Sequence, residues 1–229
     1  MILIMQGSTL VPMVVVWLRR RHFSAPVRLL SWYVYLSLLA SAAGHLYPAY
    51  LPNNYWGIIG FNTAKIALFG ALYYSVLKTG PLRRLVRTTT VIALAGCAIA
   101  CLYDIRLGMT VSRVVQCAVL AAFAVAYLEQ TMSRSMGPLC THDPLWLTSV
   151  GQLLYSAGTV TAFSFDILTV GYTNQVVVQY LFIVGAGVLF NAFLTLAFLR
   201  ARRVAPSGVA PLTQSTNPFA VAPVEYLAR

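Results

Sequence analysis

The chain has 229 residues, of which 59% are hydrophobic and only 9% are charged. A soluble domain carries about a quarter of its residues as charged side chains, so this composition excludes an ordinary water-soluble protein. The 16 Lys and Arg residues outnumber the 5 Asp and Glu residues, but they lie at the ends of apolar runs and form no stripe with interleaved aromatics, which argues against a nucleic-acid partner. The lipid bilayer is the partner that the composition predicts.

Seven apolar stretches are long enough to cross a bilayer, which takes roughly 20 residues of helix for about 30 Å of hydrocarbon. In chain order they are Ile2 to Leu18, Val27 to Tyr50, Tyr55 to Leu77, Thr88 to Tyr103, Thr110 to Tyr127, Leu145 to Leu168 and Val176 to Leu199. The sequence therefore predicts an all-α polytopic bundle of seven transmembrane helices over residues 1–199. Residues 200–229 hold four prolines among small and polar residues, which predicts a flexible tail.

The distribution of basic residues predicts the orientation, because cytoplasmic loops are rich in Lys and Arg. The first, third and fifth connections and the tail hold nearly all of them, whereas the second and sixth hold none and the fourth holds Arg106 and Arg113 beside Asp104. We therefore expect the N-terminus outside and the C-terminus in the cytoplasm, in a multi-pass protein of the inner membrane. The first span has its basic group after it, Arg19–Arg21, which predicts a retained anchor rather than a cleaved signal peptide.

Polar side chains at membrane depth are the candidate functional residues, because they are costly in lipid and tend to face the bundle interior. Lys65 falls near the midplane of the third span, and other polar residues, Gln116 among them, fall in the outer halves of their spans. This asymmetry predicts a hydrated cavity open to the outside, with Lys65 at its floor, for a small anionic or polar ligand. The predicted ligand-binding set is Lys65, His45, Asn62, Asp166, Asp104 and Gln179.

Each of these residues also has a structural interpretation. Lys65 could be neutralised by one interhelical partner and serve packing alone. Asp104 and Asp166 could be wetted helix ends, and His45 a hydrogen-bonded interior residue. In the inner halves, polar residues on the sixth and seventh spans and nearby glycines predict close helix packing. These residues are Gln152, Tyr155, Ser156, Thr159, Asn191, Gly158, Gly185 and Gly187.

Catalytic and cofactor motifs are not found in the sequence. The acidic residues are scattered, which leaves no paired carboxylates for acid and base chemistry, so we expect no enzyme. Cys140, His142 and Asp143 could supply metal ligands, but without a second cluster they are interpreted as a polar turn, and no metal or cofactor is predicted. The seventh span lacks the lysine with which rhodopsins form the retinal imine, which argues against a retinal protein.

An internal similarity favours a transporter as the alternative function. Ala67 to Leu72 in the third span is similar to Val188 to Phe193 in the seventh, and Leu38 to Gly44 is similar to Leu153 to Gly158. Two groups of three helices joined by a linking helix would give the parallel three-plus-one-plus-three plan of the sugar-translocating SWEET proteins. The proline-glutamine loop motif typical of that superfamily is absent. This resemblance would imply a carrier for small solutes.

A second resemblance favours signalling. Asn53, Asn54 and Tyr55, then Tyr73 and Tyr74, and the stretch from Asp143 to Gly158 resemble a group of small seven-helix membrane proteins of Bacteroidota. In that group a similar helical block occurs alone or ahead of a histidine kinase module. The resemblance implies a sensory membrane module, with no ligand residues to carry over. Because the tail is too short for a kinase, we expect a receptor-like protein that acts through a cytoplasmic signalling partner.

Overall fold

A computed structural model describes residues 2–46, 55–134, 143–168 and 175–201. Within these ranges the chain forms seven α-helices and one 3-10 turn, and it contains no strand, so the predicted all-α class is confirmed. The helices are α1 (Ile2–Arg19), α2 (Ala25–Leu46), α3 (Tyr55–Val76), α4 (Gly80–Tyr103), α5 (Ile105–Arg134), α6 (Pro144–Leu168) and α7 (Gln175–Arg200), with the 3-10 turn Arg20–His22 between α1 and α2. Of the predicted tail, residues 200–229, Arg200 is the last residue of α7 and Ala201 follows it, while residues 202–229 lie outside the described residues.

Helices α4 and α5 exceed their predicted spans by several residues. Helix α4 begins at Gly80, eight residues before the predicted start, with a proline in its first turn. Its added segment is amphipathic, since Val86 is buried while Arg83, Arg84 and Arg87 are exposed. Helix α5 begins directly after Asp104, so Arg106 and Arg113 belong to the helix and not to the fourth connection. An apolar run marks the part of a helix that is compatible with lipid. The helix itself can continue into polar residues, because its backbone hydrogen bonds do not require apolar side chains.

Within the part of the chain that the structure describes, three helical segments are long and apolar enough to cross a membrane by length and composition. They are Gly80–Tyr103, Ile105–Ser133 and Leu181–Arg200, and a shorter apolar helix covers Gly7–Arg19. Helices α3 and α6 carry polar side chains that are buried inside the protein, including Asn62, Lys65, Ser149 and Gln152. The chain is thus a helical protein with membrane-compatible segments.

Six of the helices form a closed ring, and the seventh lies outside it. Around the ring α1 packs on α2, α2 on α3, α3 on α5, α5 on α6, α6 on α7 and α7 on α1. Helix α4 packs against α3 and α5 on the outer side of the ring. Cross-helix contacts give the directions: Asn62 meets Ser112 and Tyr73 meets Phe123, so α3 and α5 run parallel.

Glycines allow α6 and α7 to approach closely. A Cβ added to Gly158 would lie 2.6 Å from the Cβ of Ala186, and one added to Gly151 would lie 2.7 Å from the Cβ of Phe193. These two pairs also show that α6 and α7 are antiparallel. The predicted packing role of Gly158 is therefore confirmed, because a side chain at this position would force the two backbones apart. The same prediction for Gly185 is wrong, since this glycine is exposed and nothing lies within 4 Å of an added Cβ.

The end of the bundle where α1, α3, α5 and α7 terminate is here named the basic end, because Arg19, Lys78, Arg83 and Arg200 lie there. Side-chain hydrogen bonds connect the helices at this end. Arg19 donates to the Leu199 carbonyl at 2.6 Å, and the Tyr127 hydroxyl donates to the Asp143 carboxylate at 2.5 Å. The other carboxylate oxygen of Asp143 accepts from the Leu145 N–H and caps α6.

Candidate functional site

Lys65 lies at the middle of α3, inside the ring of helices. Its side chain has an exposed fraction of 0%, and its Nζ has no hydrogen-bond partner among the described residues. An ammonium group has three donors, and burying it unpaired is costly in a low-dielectric interior. A residue placed this way needs either a compensating environment or a function.

Four aromatic rings, named here the aromatic cage, supply that environment. The Nζ of Lys65 lies 4.1 Å from the ring centroid of Tyr155, 5.2 Å from those of Tyr33 and Phe190, and 6.0 Å from that of Phe69. The rings come from α2, α3, α6 and α7, and they touch one another, with Tyr33 meeting Phe69 at 5.4 Å and Phe190 at 5.5 Å. The cage therefore joins four helices around one side chain.

The aromatic cage lowers the cost of burying the Lys65 ammonium group. A cation over an aromatic face gains about 0.5–2 kcal/mol per contact, so several rings together offset part of the cost of burial. None of the described carboxylates forms an ion pair with Lys65. The interhelical partner that could neutralise Lys65 stays a prediction, because the side chains of His45 and Asp166 lie outside the described residues.

A separate polar cavity of about 410 Å³ lies beside the cage, toward the end of the bundle opposite the basic end. Its volume falls within the range of small-molecule sites. It is bounded by α3, α5, α6 and α7. The lining residues are Phe61, Asn62, Arg113, Gln116, Cys117, Tyr155, Thr159, Phe163 and Ile183.

Hydrogen-bond donors dominate the polar wall of this cavity. Arg113 is half-buried, with its guanidinium carbon 6.0 Å from the Phe163 ring centroid, and it forms no ion pair with a described acid. Gln116 is 3% exposed, and its Nε2 makes no hydrogen bond of normal geometry among the described residues, although the Tyr155 hydroxyl is near enough to interact with it. Asn62 is fixed by donating to the Ser112 hydroxyl at 3.1 Å. A guanidinium beside a buried amide donor is suited to an anionic oxygen ligand.

Comparison of the chain with known proteins gives no match to a protein-family model, a curated protein or a solved structure. We therefore infer function from the chemistry of the cavity and the cage.

The cavity and the cage share one wall. Tyr155 lines the cavity and also presents its ring to Lys65. Cys117 lines the cavity as well, and its thiol is near enough to Lys65 to interact with it electrostatically. Lys65 itself does not line the cavity. The sequence predicted this lysine at the cavity floor, whereas the structure separates the two by one aromatic ring.

The predicted ligand-binding residues fall in three different settings. Asn62 lines the cavity, and Lys65 lies next to it in the cage. Asp104 is exposed at the junction of α4 and α5, where its Oδ1 accepts from the Arg106 N–H at 3.1 Å, and it does not line the cavity. This contact gives Asp104 the role of an N-cap for α5. A role for it in ligand binding stays a prediction.

Three of the predicted residues have side chains outside the described residues: His45, Asp166 and Gln179. Their backbones belong to α2, α6 and α7. Asp166 lies about 16 Å along the axis of α6 from Tyr155, given the rise of a helix. The roles of His45, Asp166 and Gln179 in ligand binding stay predictions. Cys140 and His142 also lie outside the described residues, so their interpretation as part of a polar turn stays a prediction.

Sequence reasoning missed Arg113 as a cavity residue because it was assigned to a connection. Arg113, Gln116 and Cys117 follow the i, i+3, i+4 spacing that places side chains on one helical face. This spacing is the signal in the sequence for Arg113, because it places Arg113 on the same helical face as Gln116, a polar residue at membrane depth. The cage was also missed, because nothing in the sequence brings Tyr33 and Phe190 together.

Proposed function

We propose that all seven helices cross the inner membrane, with the N-terminus outside and the basic end in the cytoplasm. Two observations support this topology. The Lys and Arg side chains at α1, α3, α4 and α7 gather at one end, as the positive-inside rule requires of cytoplasmic segments. Large apolar side chains such as Trp17, Ile92 and Leu102 are exposed along the helices, where lipid would cover them.

We further propose that the protein is a receptor-like membrane module that binds a small organic anion in the polar cavity. The single observation that carries this proposal is that the half-buried Arg113 and the buried Gln116 line one cavity. In the proposed topology the cavity lies in the outer half of the bundle. A ligand would then arrive from the outside or from the outer leaflet.

A signalling role is favoured over passage through the bundle because the basic end is closed by packed side chains. Leu77, Phe123 and Phe198 belong to one buried cluster at this end. Phe23, which lies between the 3-10 turn and α2, stacks on Phe198 of α7 at 5.5 Å and belongs to the same cluster. Binding at one end would be conveyed through the ring of helices to a cytoplasmic partner, which would contact the connections of the basic end.

Saturable binding to the reconstituted protein tests this proposal. In nanodiscs, a panel of radiolabelled small carboxylates should include at least one that binds saturably to the parent protein. Arg113→Gln should weaken that binding about tenfold or more, because a charge-assisted hydrogen bond is lost. Arg106→Gln is the matched control, since this arginine is exposed at the same end of the bundle. Equal losses in both variants, or no binding to the parent, would overturn the proposal.

A solute transporter is the second candidate, and the ring of helices favours it. Helix α4 lies outside the ring, which leaves α1–α3 and α5–α7 as two groups of three, as a three-plus-one-plus-three plan requires. The similar segments of α3 and α7 place Phe69 and Phe190 in equivalent positions, and both belong to the aromatic cage. Uptake of a bound carboxylate into proteoliposomes, abolished by Arg113→Gln, would replace the receptor proposal with this one.

A further inference from the structure

An apolar groove of about 470 Å³ runs between α5 and α6 and adjoins the polar cavity. Its walls include Val114 and Ala121 on α5 and Leu153, Ala157 and Val160 on α6. The two serines that line it offer little polarity. The Ser164 hydroxyl, for example, donates to the Val160 carbonyl of its own helix at 3.0 Å.

The groove and the polar cavity adjoin each other, since Cys117 and Phe163 line both of them. The cavity contributes the cation and the amide donor of Gln116, and the groove contributes mainly apolar surface. A ligand that satisfies both must carry an anionic head and an apolar chain.

The dimensions of the groove fit a chain from one membrane leaflet. From Leu153 to Ser164 it extends about 16 Å along the axis of α6, which is close to half of the roughly 30 Å hydrocarbon thickness of a bilayer. Val114 and Val160 are 56% and 54% exposed, so the groove opens sideways toward lipid. A chain could enter from the membrane without crossing the packed interior.

The direction of the groove agrees with the orientation of a lipid in the outer leaflet. Arg113 lies toward the end opposite the basic end, and the groove continues from its level past Cys117 to Ala121, deeper in the bundle. A head bound at Arg113 would therefore send its chain toward the membrane midplane.

We infer that the natural ligand is a fatty carboxylate, whose carboxylate binds Arg113 and Gln116 in the polar cavity while its single acyl chain lies in the apolar groove. This inference rests on the proposed anion site and adds to it the ligand class and a lateral route of entry. A planar carboxylate matches the two-pronged geometry of a guanidinium, and one groove accommodates one chain.

Three probes separate the contributions of head and chain in phosphatidylcholine nanodiscs: radiolabelled dodecanoate, butyrate and dodecanol. We expect dodecanoate to bind saturably and at least about a hundredfold more tightly than butyrate, because each buried methylene strengthens binding severalfold. Dodecanol should partition without saturation, since it lacks the anion. Empty nanodiscs correct for partition of each probe into lipid.

Two variants assign the binding to the two halves of the site. Ala157→Trp should fill the groove and weaken dodecanoate binding about tenfold or more, while leaving butyrate binding unchanged. Arg113→Gln should weaken the binding of both carboxylates. The matched control for Ala157→Trp is Gly185→Trp, a bulky side chain at an exposed position in the groove between α6 and α7.

The outcomes distinguish failure of the inference from failure of the proposed function. If butyrate binds as tightly as dodecanoate and Ala157→Trp changes neither, the anion site stands and the acyl groove is refuted. If dodecanoate binding is insensitive to both variants, it reflects partition into lipid, and the inference is overturned. If neither carboxylate binds saturably, the anion site and the inference are refuted together.

Discussion

At the scale of single residues, two cationic side chains of the bundle, Lys65 and Arg113, differ in what surrounds them. Lys65 is enclosed by aromatic rings and has no polar partner, whereas Arg113 faces an open cavity. The sequence predicted the depth and burial of Lys65 from its place in an apolar run. It could not predict the cage, because cage formation depends on how four helices are rotated about their axes.

Replacing Lys65 by methionine tests the environment assigned to this lysine. We expect Lys65→Met to unfold at the same temperature as the parent or higher, because an apolar chain of similar volume suits an aromatic cage. Lys78→Met, at an exposed position, is the control. Thermal unfolding in one detergent measures both. A loss of about 3–5 kcal/mol in Lys65→Met would instead indicate a buried acidic partner left without its charge.

Asp104 is expected to act through the helix that it caps. Asp104→Ala should lower the free energy of unfolding by about 1 kcal/mol, since the first turn of α5 loses its acceptor. Asp104→Asn should lower it by only about 0.2–0.4 kcal/mol. Both variants should retain carboxylate binding with unchanged affinity, measured in nanodiscs. Weaker binding in Asp104→Asn at full stability would instead assign this carboxylate to the ligand site.

At the scale of helices, apolar runs predicted the number and order of the elements but not all of their ends. The boundaries of α3 and α6 were predicted within one or two residues, because polar residues and prolines flank them. Helices α4 and α5 exceed their apolar runs, and the single residue Asp104 joins them into a tight antiparallel pair. Because α5 begins at Ile105, Arg113 belongs to this helix and lines the cavity, whereas the sequence assigned it to a connection.

The close approach of α6 and α7 can be tested with one substitution at two positions. Gly158→Ala should destabilise the protein by about 1–3 kcal/mol, since the added methyl would overlap Ala186. Gly185→Ala should be neutral or stabilising by up to about 1 kcal/mol, because nothing lies within 4 Å of its added Cβ and alanine favours helix. Unfolding by detergent titration provides the comparison. Equal stability of the two variants would contradict the packing described here.

At the scale of the whole molecule, the ring of six helices with α4 outside could not be read from the sequence. Hydrophobic periodicity identifies a helix but does not specify its neighbours, and the contact of α3 with α5 skips the helix between them in the chain. The charge pattern, in contrast, was informative at this scale. It predicted that one end of the bundle would be basic, and Arg19, Lys78 and Arg200 do share an end.

Labelling of single cysteines in intact cells tests the central claim that the basic end lies in the cytoplasm and the polar cavity near the outside. In a cysteine-free background, Arg106→Cys should react with a membrane-impermeant maleimide before permeabilisation, because it lies exposed at the cavity end. Arg84→Cys and Ser133→Cys, exposed toward the basic end, should react only after permeabilisation. Labelling of Arg106→Cys and Arg84→Cys from the same side, or of Arg84→Cys from the outside, would contradict the account.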